Sequence, residues 1–331
     1  MPPTIIGISP TQGPAAGGTA VTLTGSDFTG ATSVNFGTNQ AQFATISDTD
    51  ITCTAPSGSG SSTVTVTAPD GASNSVTYTY LPRPVVGSIT PNQGSTAGGN
   101  TVTITGANLF GATAVTFGNR SATITGNTGT QVTVQTPAGA AGAVNLTVTT
   151  DGGTSTPSPY FYVPLPTVDS VAPALGTAAG GNTVTIAGSE LSLTSAVHFG
   201  SRTVAGFSVV SDGEITALVP LGSGTVTVTV TTPGGTSLPG VGSPYYTYVG
   251  LPVVTGLSPN QGPAAGGNSI TITGSNLTYT DSVRVGGTPA SFVTVSDTKV
   301  VTVAPGGAPG TVSLVVHSPG GTGSASYQYT P

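Results

Sequence analysis

The sequence predicts an all-β protein of four tandem two-sheet sandwiches, and three observations carry that prediction. The first is the stretch PTQGPAAGGTAVTLTG from Pro10 to Gly25, whose close copies begin at Pro91, Pro173 and Pro259. Its Gly-Gly pair recurs at Gly17, Gly98, Gly180 and Gly266, with spacings of 81, 82 and 86 residues. Such a period is too long for a solenoid repeat and suits an independent domain. The second is a succession of short segments that alternate apolar and polar residues between Gly/Pro turn signals, with no helical periodicity. The third is composition: of 331 residues only 5% are charged while 36% are hydrophobic. Thr and Ser must therefore cover the solvent faces, a task that suits β-branched Thr in strands. The expected domains are residues 1–82, 83–165, 166–250 and 251–331, arranged as beads on a string.

Each repeat opens with an extended segment that ends in Pro: TIIGISP, VVGSITP, TVDSVAP and VVTGLSP. Proline closes the strand because it cannot donate to a ladder. Period-two alternation places Ile6 and Ile8 on one face, with Val86 or Ile89 and Val171 or Leu257 at comparable places. The glycines of the following P-x-x-G-x-x-x-G-G segment are expected to supply positive φ angles in an irregular connection. The next strand points Val21 and Leu23 inward, as it does Val102 and Ile104, Val184 and Ile186, and Ile270 and Ile272. Phe28, Leu109, Leu191 and Leu277 then plug one end of the core, and a further strand contributes Val34 and Phe36 or their counterparts, reading V-x-F-G in three of four repeats.

A Ser-Asp turn follows at Ser47-Asp48, Ser211-Asp212 and Ser296-Asp297, replaced by Thr128-Gly129 in the second repeat. Its Asp is expected to bond within the turn. Cys53 lies in the strand ITCTAP, matched by Val134 and Ala217, and reads as a buried small residue. As the only cysteine it forms no intrachain disulfide. The alternating strand after Pro56 or its counterparts turns at Pro69-Asp70-Gly71, Asp151-Gly152-Gly153, Pro233-Gly234-Gly235 and Pro319-Gly320-Gly321. The last strand carries a tyrosine pair: Tyr78 and Tyr80, Tyr160 and Tyr162, Tyr246 and Tyr248, Tyr327 and Tyr329. Rings two residues apart share a face and are assigned to core packing with their hydroxyls at its edge.

The P-x-x-G opening with its Gly-Gly pair, the V-T-I-x-G strand, the V-x-F-G strand and the terminal Y-x-Y resemble those of IPT/TIG domains, immunoglobulin-like folds of the early-set type. The resemblance covers essentially the whole chain, all four units, and departs in detail where Val285 replaces the Phe of V-x-F-G. It implies an immunoglobulin-like sandwich and, as the expected setting, a bacterial or phage surface protein. The family serves as surface receptors, dimerisation domains, appendages of polysaccharide enzymes and bacterial surface proteins, so membership implies fold more than function.

Charge and motif content exclude several function classes. The net charge is −6, and Arg83, Arg120, Arg202, Arg284 and Lys299 are scattered, which argues against nucleic acid or an anionic membrane as partner. No apolar run approaches the length of a membrane span, so no membrane insertion is expected. His198 and His317 stand in different repeats without a nucleophile or metal motif around them, so neither catalytic residues nor a cofactor is expected. Asp48 and Asp50 lack the rest of a calcium loop. The start MPPTIIGISP has no cationic segment followed by an apolar run. That leaves export without such a signal, assembly inside the cell, or a leader already removed.

Two sets of contact residues remain. Phe110 and Tyr279 lie in the same inter-strand loop of repeats two and four, and either cover the core's end or form a contact surface. Leu238 and Val241 sit on a loop of repeat three, where Gly235 to Tyr246 spans 11 residues against 7, 7 and 6 elsewhere. Placed end to end, YQYTP and MPPTIIGISP imitate an internal junction such as YTYLPRPVVGSITP. Pro3, Ile5, Tyr327, Tyr329 and Pro331 are therefore candidates for head-to-tail self-assembly into an open fibre, against the alternative that the domains simply stop. The leading expectation is a non-enzymatic structural or adhesive rod, extracellular or at the cell surface, whose partner is a second copy of itself or a surface protein or glycan. The alternative is a binding module, either a phage virion or tail decoration or a glycan-binding surface protein.

Overall fold

Alternating threonine and aliphatic residues build each repeat into two sheets in the computed structural model, which describes residues 1–239 and 244–331. In the first repeat the strands are β1 (Thr4–Ser9), β2 (Gln12–Pro14), β3 (Ala20–Ser26), β4 (Ser33–Phe36), β5 (Asn39–Thr45), β6 (Asp50–Thr54), β7 (Gly60–Ala68), β8 (Gly71–Ala72) and β9 (Val76–Leu81). One sheet runs β1-β3-β6-β5, the other β5-β4-β7-β9-β2 with β8 on β7, so β5 serves both. The counterpart of β5 is broken in the other repeats, as in Arg120–Ser121 and Thr123–Asn127, and there the two sheets separate. The sequence reading did not single out β5: of its residues only Ala41 is fully buried and Phe43 partly so, which leaves a weak alternation. The chain forms two compact units, Met1–Val163 and Pro164–Pro331.

The first strand departs from strict alternation. A bulge between Ile5 and Gly7 shifts the register against β3, and an extra residue in one strand moves every following side chain to the other face. Ile5 and Ile8, three apart, consequently face the core, with Ile5 3% exposed, whereas Ile6 is 77% exposed. The expected pairing of Ile6 with Ile8 is thus corrected. The same bulge recurs in each repeat, where Val86 and Ile89, Val168 and Val171, and Val254 and Leu257 form the inward pairs. After the cis Ser9-Pro10 bond the chain crosses to the opposite sheet, and β2 runs parallel to β9 with Gln12 opposite Thr79. The segment read from sequence as a connection therefore contains a short strand of its own.

The inward residues of β3 and β4 and their counterparts are buried as expected, and so are the end plugs Phe28, Leu109, Leu191 and Leu277. Cys53 is buried too, and burial pushes its thiol up to about 11. Thr302 holds that place in the fourth repeat, its hydroxyl donating to the Ser291 carbonyl at 2.8 Å so that the buried polar group is satisfied.

The tyrosine pair fills the centre of each sandwich. In the first repeat Phe36, Tyr78 and Tyr80 stack edge to face, with ring centroids 5.2 and 5.1 Å apart. Val285 replaces the phenylalanine in the fourth, where Tyr327 and Tyr329 stack on each other alone. These rings fit because glycine lies beneath them. A Cβ on Gly13 would come within 2.2 Å of the Tyr78 hydroxyl oxygen, and one on Gly58 within 2.4 Å of the Tyr80 ring. Gly94 and Gly139, Gly176 and Gly222, and Gly262 and Gly307 repeat both approaches. Of the glycines in the opening motif, Gly17 does need a positive φ, +79°, but Gly13 serves by having no side chain.

The two kinds of glycine predict different costs. Gly139→Ala puts a Cβ 2.4 Å from the Tyr162 ring and should cost about 2–3 kcal/mol by overpacking. Gly99→Ala, at φ +77° in open space, should cost only about 1 kcal/mol of backbone strain. Urea unfolding of the full chain followed by tyrosine fluorescence measures both, and equal effects would contradict the assignment.

Candidate binding site

Two loops meet at one end of each sandwich, and a side chain fastens them together. In the first repeat the loop after β3 meets the β5–β6 turn, where the Phe28 amide donates to the Asp48 carbonyl at 3.0 Å. Asp48 Oδ1 also accepts from the Thr29 hydroxyl at 2.7 Å and from the Thr29 amide at 3.2 Å. Asp212 receives the same pair from Ser192, and Asp297 from Thr278. These aspartates thus reach across to a loop some twenty residues earlier in the chain, which corrects the expectation of a bond within their own turn. Asp50 accepts instead from the Ser47 and Thr49 hydroxyls at 2.9 and 2.7 Å, so the two carboxylates of Asp48-Thr49-Asp50 are held on separate partners.

The second repeat makes the clamp differently. Gly129 stands where the others have Asp, and Phe110 where the others have Thr29, Ser192 and Thr278. Asn127 takes over: its Oδ1 accepts from the Gly111 amide at 2.8 Å and its Nδ2 donates to the Leu109 carbonyl at 2.7 Å. A backbone-to-amide clamp needs nothing from position 110. Phe110 is accordingly 80% exposed while its neighbour Leu109 is fully buried. Leu109 covers the end of the core and Phe110 does not.

Phe110 borders the joint between the first two domains. The Gly152 turn packs on the linker so closely that a Cβ there would lie 2.1 Å from the Pro82 carbonyl oxygen. Asn108, in a left-handed conformation at φ 57°, donates from Nδ2 to the Arg83 carbonyl at 3.1 Å. Gln12 of the first domain donates from Nε2 to Asp151 Oδ2 of the second at 3.1 Å. Phe110, Asn108, Gln12, Asp151, Leu81 and Pro82 line a half-open cavity of about 290 Å³. In the second compact unit the grip recurs: a Cβ on Gly320 would lie 2.2 Å from the Gly250 carbonyl oxygen, and Asn276 donates to the Leu251 carbonyl at 2.9 Å.

The structure distributes the other expected residues as follows. Pro3, Ile5, Tyr327 and Tyr329 are buried, the last three among the core side chains. Their side chains are committed to their own sandwiches, and of that set only Pro331 is exposed. Leu238 is 76% exposed and Tyr279 41%. Val241 lies outside the described residues. His198 Nδ1 is 3.3 Å from the Thr203 hydroxyl, and His317 Nδ1 is 2.6 Å from Asp281 Oδ1. Gln12, Asn108 and Asp151 were missed in the sequence, where Asp151 reads only as a hairpin residue. The joint replacement of a hydroxyl by Phe110 and of an Asp by Gly129 was the legible signal.

The clamps differ in their response to acid. The Thr29 hydroxyl, then its amide, holds Asp48 below its ordinary value of 3.8, and the Ser192 and Thr278 hydroxyls do the same for Asp212 and Asp297. A depressed carboxyl stabilises the fold above 3.8 and loses that contribution as the pH falls through the lower folded value. In an NMR titration the amides of Thr29, Ser192 and Thr278 should therefore report a step below pH 3.8. The Gly111 amide, clamped by a neutral asparagine, should show no step of that size; a matching step there would contradict the assignment.

The family comparison agrees with this architecture. The IPT/TIG domain model matches residues 3–80, 84–162, 166–248 and 252–331. Mouse Fibrocystin-L is 28% identical over 292 residues, covering 83% of this chain and 7% of that protein. Rat Plexin-B3 is 33% identical over 140 residues, covering 39% of this chain and again 7% of the relative. The chain therefore spans only a small part of the length of the curated relatives it matches. Among solved structures, the plexin A4 full extracellular region aligns over 97% of this chain and 30% of its own, at 21% identity and a TM-score of 0.36. With the family model matched in every repeat and two sheets built around a tyrosine pair in each, the chain belongs to the IPT/TIG family, as four tandem domains.

Proposed function

We propose that this chain is a non-enzymatic adhesive or binding module that works outside the cell or at its surface, with a surface protein or a glycan as its partner. The observation that carries the reading is the braced loop of the second domain. Its clamp has been transferred to Asn127, and a large aromatic side chain has been left in solvent beside a gripped linker. An exposed phenylalanine contributes none of the about 1.5–3 kcal/mol that burying one supplies, so core packing does not account for Phe110. Loops held on a rigid scaffold are where binding residues concentrate. The near absence of charge and the hydroxyl-covered strand faces suit a surface module. The curated relatives support an outward location and lend none to a virion.

A second copy of the chain is the less favoured partner. A head-to-tail joint built like those within the two compact units needs a glycine and an amide donor on the receiving domain. The first domain has Asp70 where the second has Gly152, ion-paired to the Met1 ammonium at 2.9 Å, and Asp27 where the second has Asn108. An aspartate adds the Cβ that Gly152 lacks, and its carboxylate cannot donate to a linker carbonyl.

Two measurements on the full chain test the reading. Fluorescently labelled protein should bind intact source cells saturably and be displaced by unlabelled protein, and sedimentation velocity should show one species across concentrations. Absence of surface binding together with concentration-dependent growth into polymers would overturn it in favour of the filament.

A further inference from the structure

We infer that the joint between the first and second domains is a binding site for neutral sugar rings, with Phe110 as the stacking platform and Gln12, Asn108 and Asp151 as the hydrogen-bonding wall. The inference deepens the reading of the chain as a binding module and rests on it. The chemistry of the wall selects the ligand. Gln12 Nε2 is engaged with Asp151 Oδ2, and Asn108 Nδ2 with the Arg83 carbonyl. Gln12 Oε1, Asp151 Oδ1 and Asn108 Oδ1 remain as acceptors beside the second N–H of each amide, and the one charged group among them is a carboxylate.

A wall whose one charged group is a carboxylate repels phosphate, sulfate and uronate groups, and among the described residues no Lys or Arg lines the cavity to offset that repulsion. A ligand rich in hydroxyls, which both donate and accept, satisfies the acceptors and the amide N–H groups together, and the C–H face of a pyranose ring offers Phe110 the apolar surface it lacks. The cavity, about 290 Å³, falls just below the range for small-ligand pockets, ~300–1,000 Å³, which suits a short stretch of a glycan entering from solvent.

The site also requires the joint. Gln12 belongs to the first domain and the other polar residues to the second, and they are brought together by the linker carbonyl seated on Gly152. No other repeat has an aromatic residue at the Phe110 position, so the assignment is specific to this joint.

Affinity electrophoresis of the full chain in gels containing β-glucan, xylan, galactomannan or dextran, with alginate as the acidic comparison, tests the proposal. At least one neutral polysaccharide should retard the chain and alginate should not. Phe110→Ala should weaken that retardation by about tenfold or more, as loss of an aromatic anchor does. Asp151→Asn should weaken it less, and Leu238→Ala should leave it unchanged. Retardation by none of the neutral polymers, stronger retardation by alginate, or full binding by Phe110→Ala would each overturn the site. If Phe110→Ala still binds source cells like the unaltered chain, the module reading stands and this site alone falls.

Discussion

The fold depends on places where a side chain is missing. Each domain has about eighty residues and no tryptophan, so its core must take much of its volume from two tyrosines set close together. Both rings lie against backbone, the first with its hydroxyl over Gly13 or its counterpart and the second flat on Gly58 or its counterpart. With any larger residue at those points the rings would be pushed outward and the two sheets apart. The crossing of the chain from β1 to β2 follows from the same packing, since β2 carries Gly13 onto the edge of the sheet that holds the tyrosines.

Close approach also organises the joints. Gly152 and Gly320 let a linker carbonyl sit directly on the turn of the following domain, and Asn108 and Asn276 hold the next stretch of linker by an amide donor. Within the first compact unit this fixes Gln12 against Asp151 and leaves Phe110 beside them. Aspartates in the first domain at the positions of Gly152 and Asn108 mean that it does not present the same receiving face. The joint is thus a property of particular residues and not of the repeat as such.

Most of the core was legible in the sequence because period-two alternation in the β3 and β4 strands and in the tyrosine strand is unbroken. The first strand misled because a bulge adds one residue, and a bulge leaves no mark in an aliphatic run such as Ile5-Ile6-Gly7-Ile8. The Ser-Asp turn misled for another reason: an Asp beside a Ser satisfies local turn chemistry as well as a long-range bond, and only the position of the Thr29 loop decides between them. Phe110 was visible as an irregularity, but Gln12 and Asp151 are separated by 139 residues, and no local pattern could bring them together. Tyr327 and Tyr329 were candidates for self-assembly only because the chain's two ends imitate an internal junction, and their period-two spacing assigns their side chains to the core.

The central claim is that the linker grip makes the first two domains a single body that holds its loop residues in register. Pulsed electron paramagnetic resonance tests it most directly, with spin labels on Ser61→Cys and Thr125→Cys in a Cys53→Ala background, both labelled positions being exposed. The account predicts one narrow distance distribution in the otherwise unaltered chain, broadened when Gly152→Val displaces the linker carbonyl. A distribution that is broad from the start, or unchanged by Gly152→Val, would contradict it.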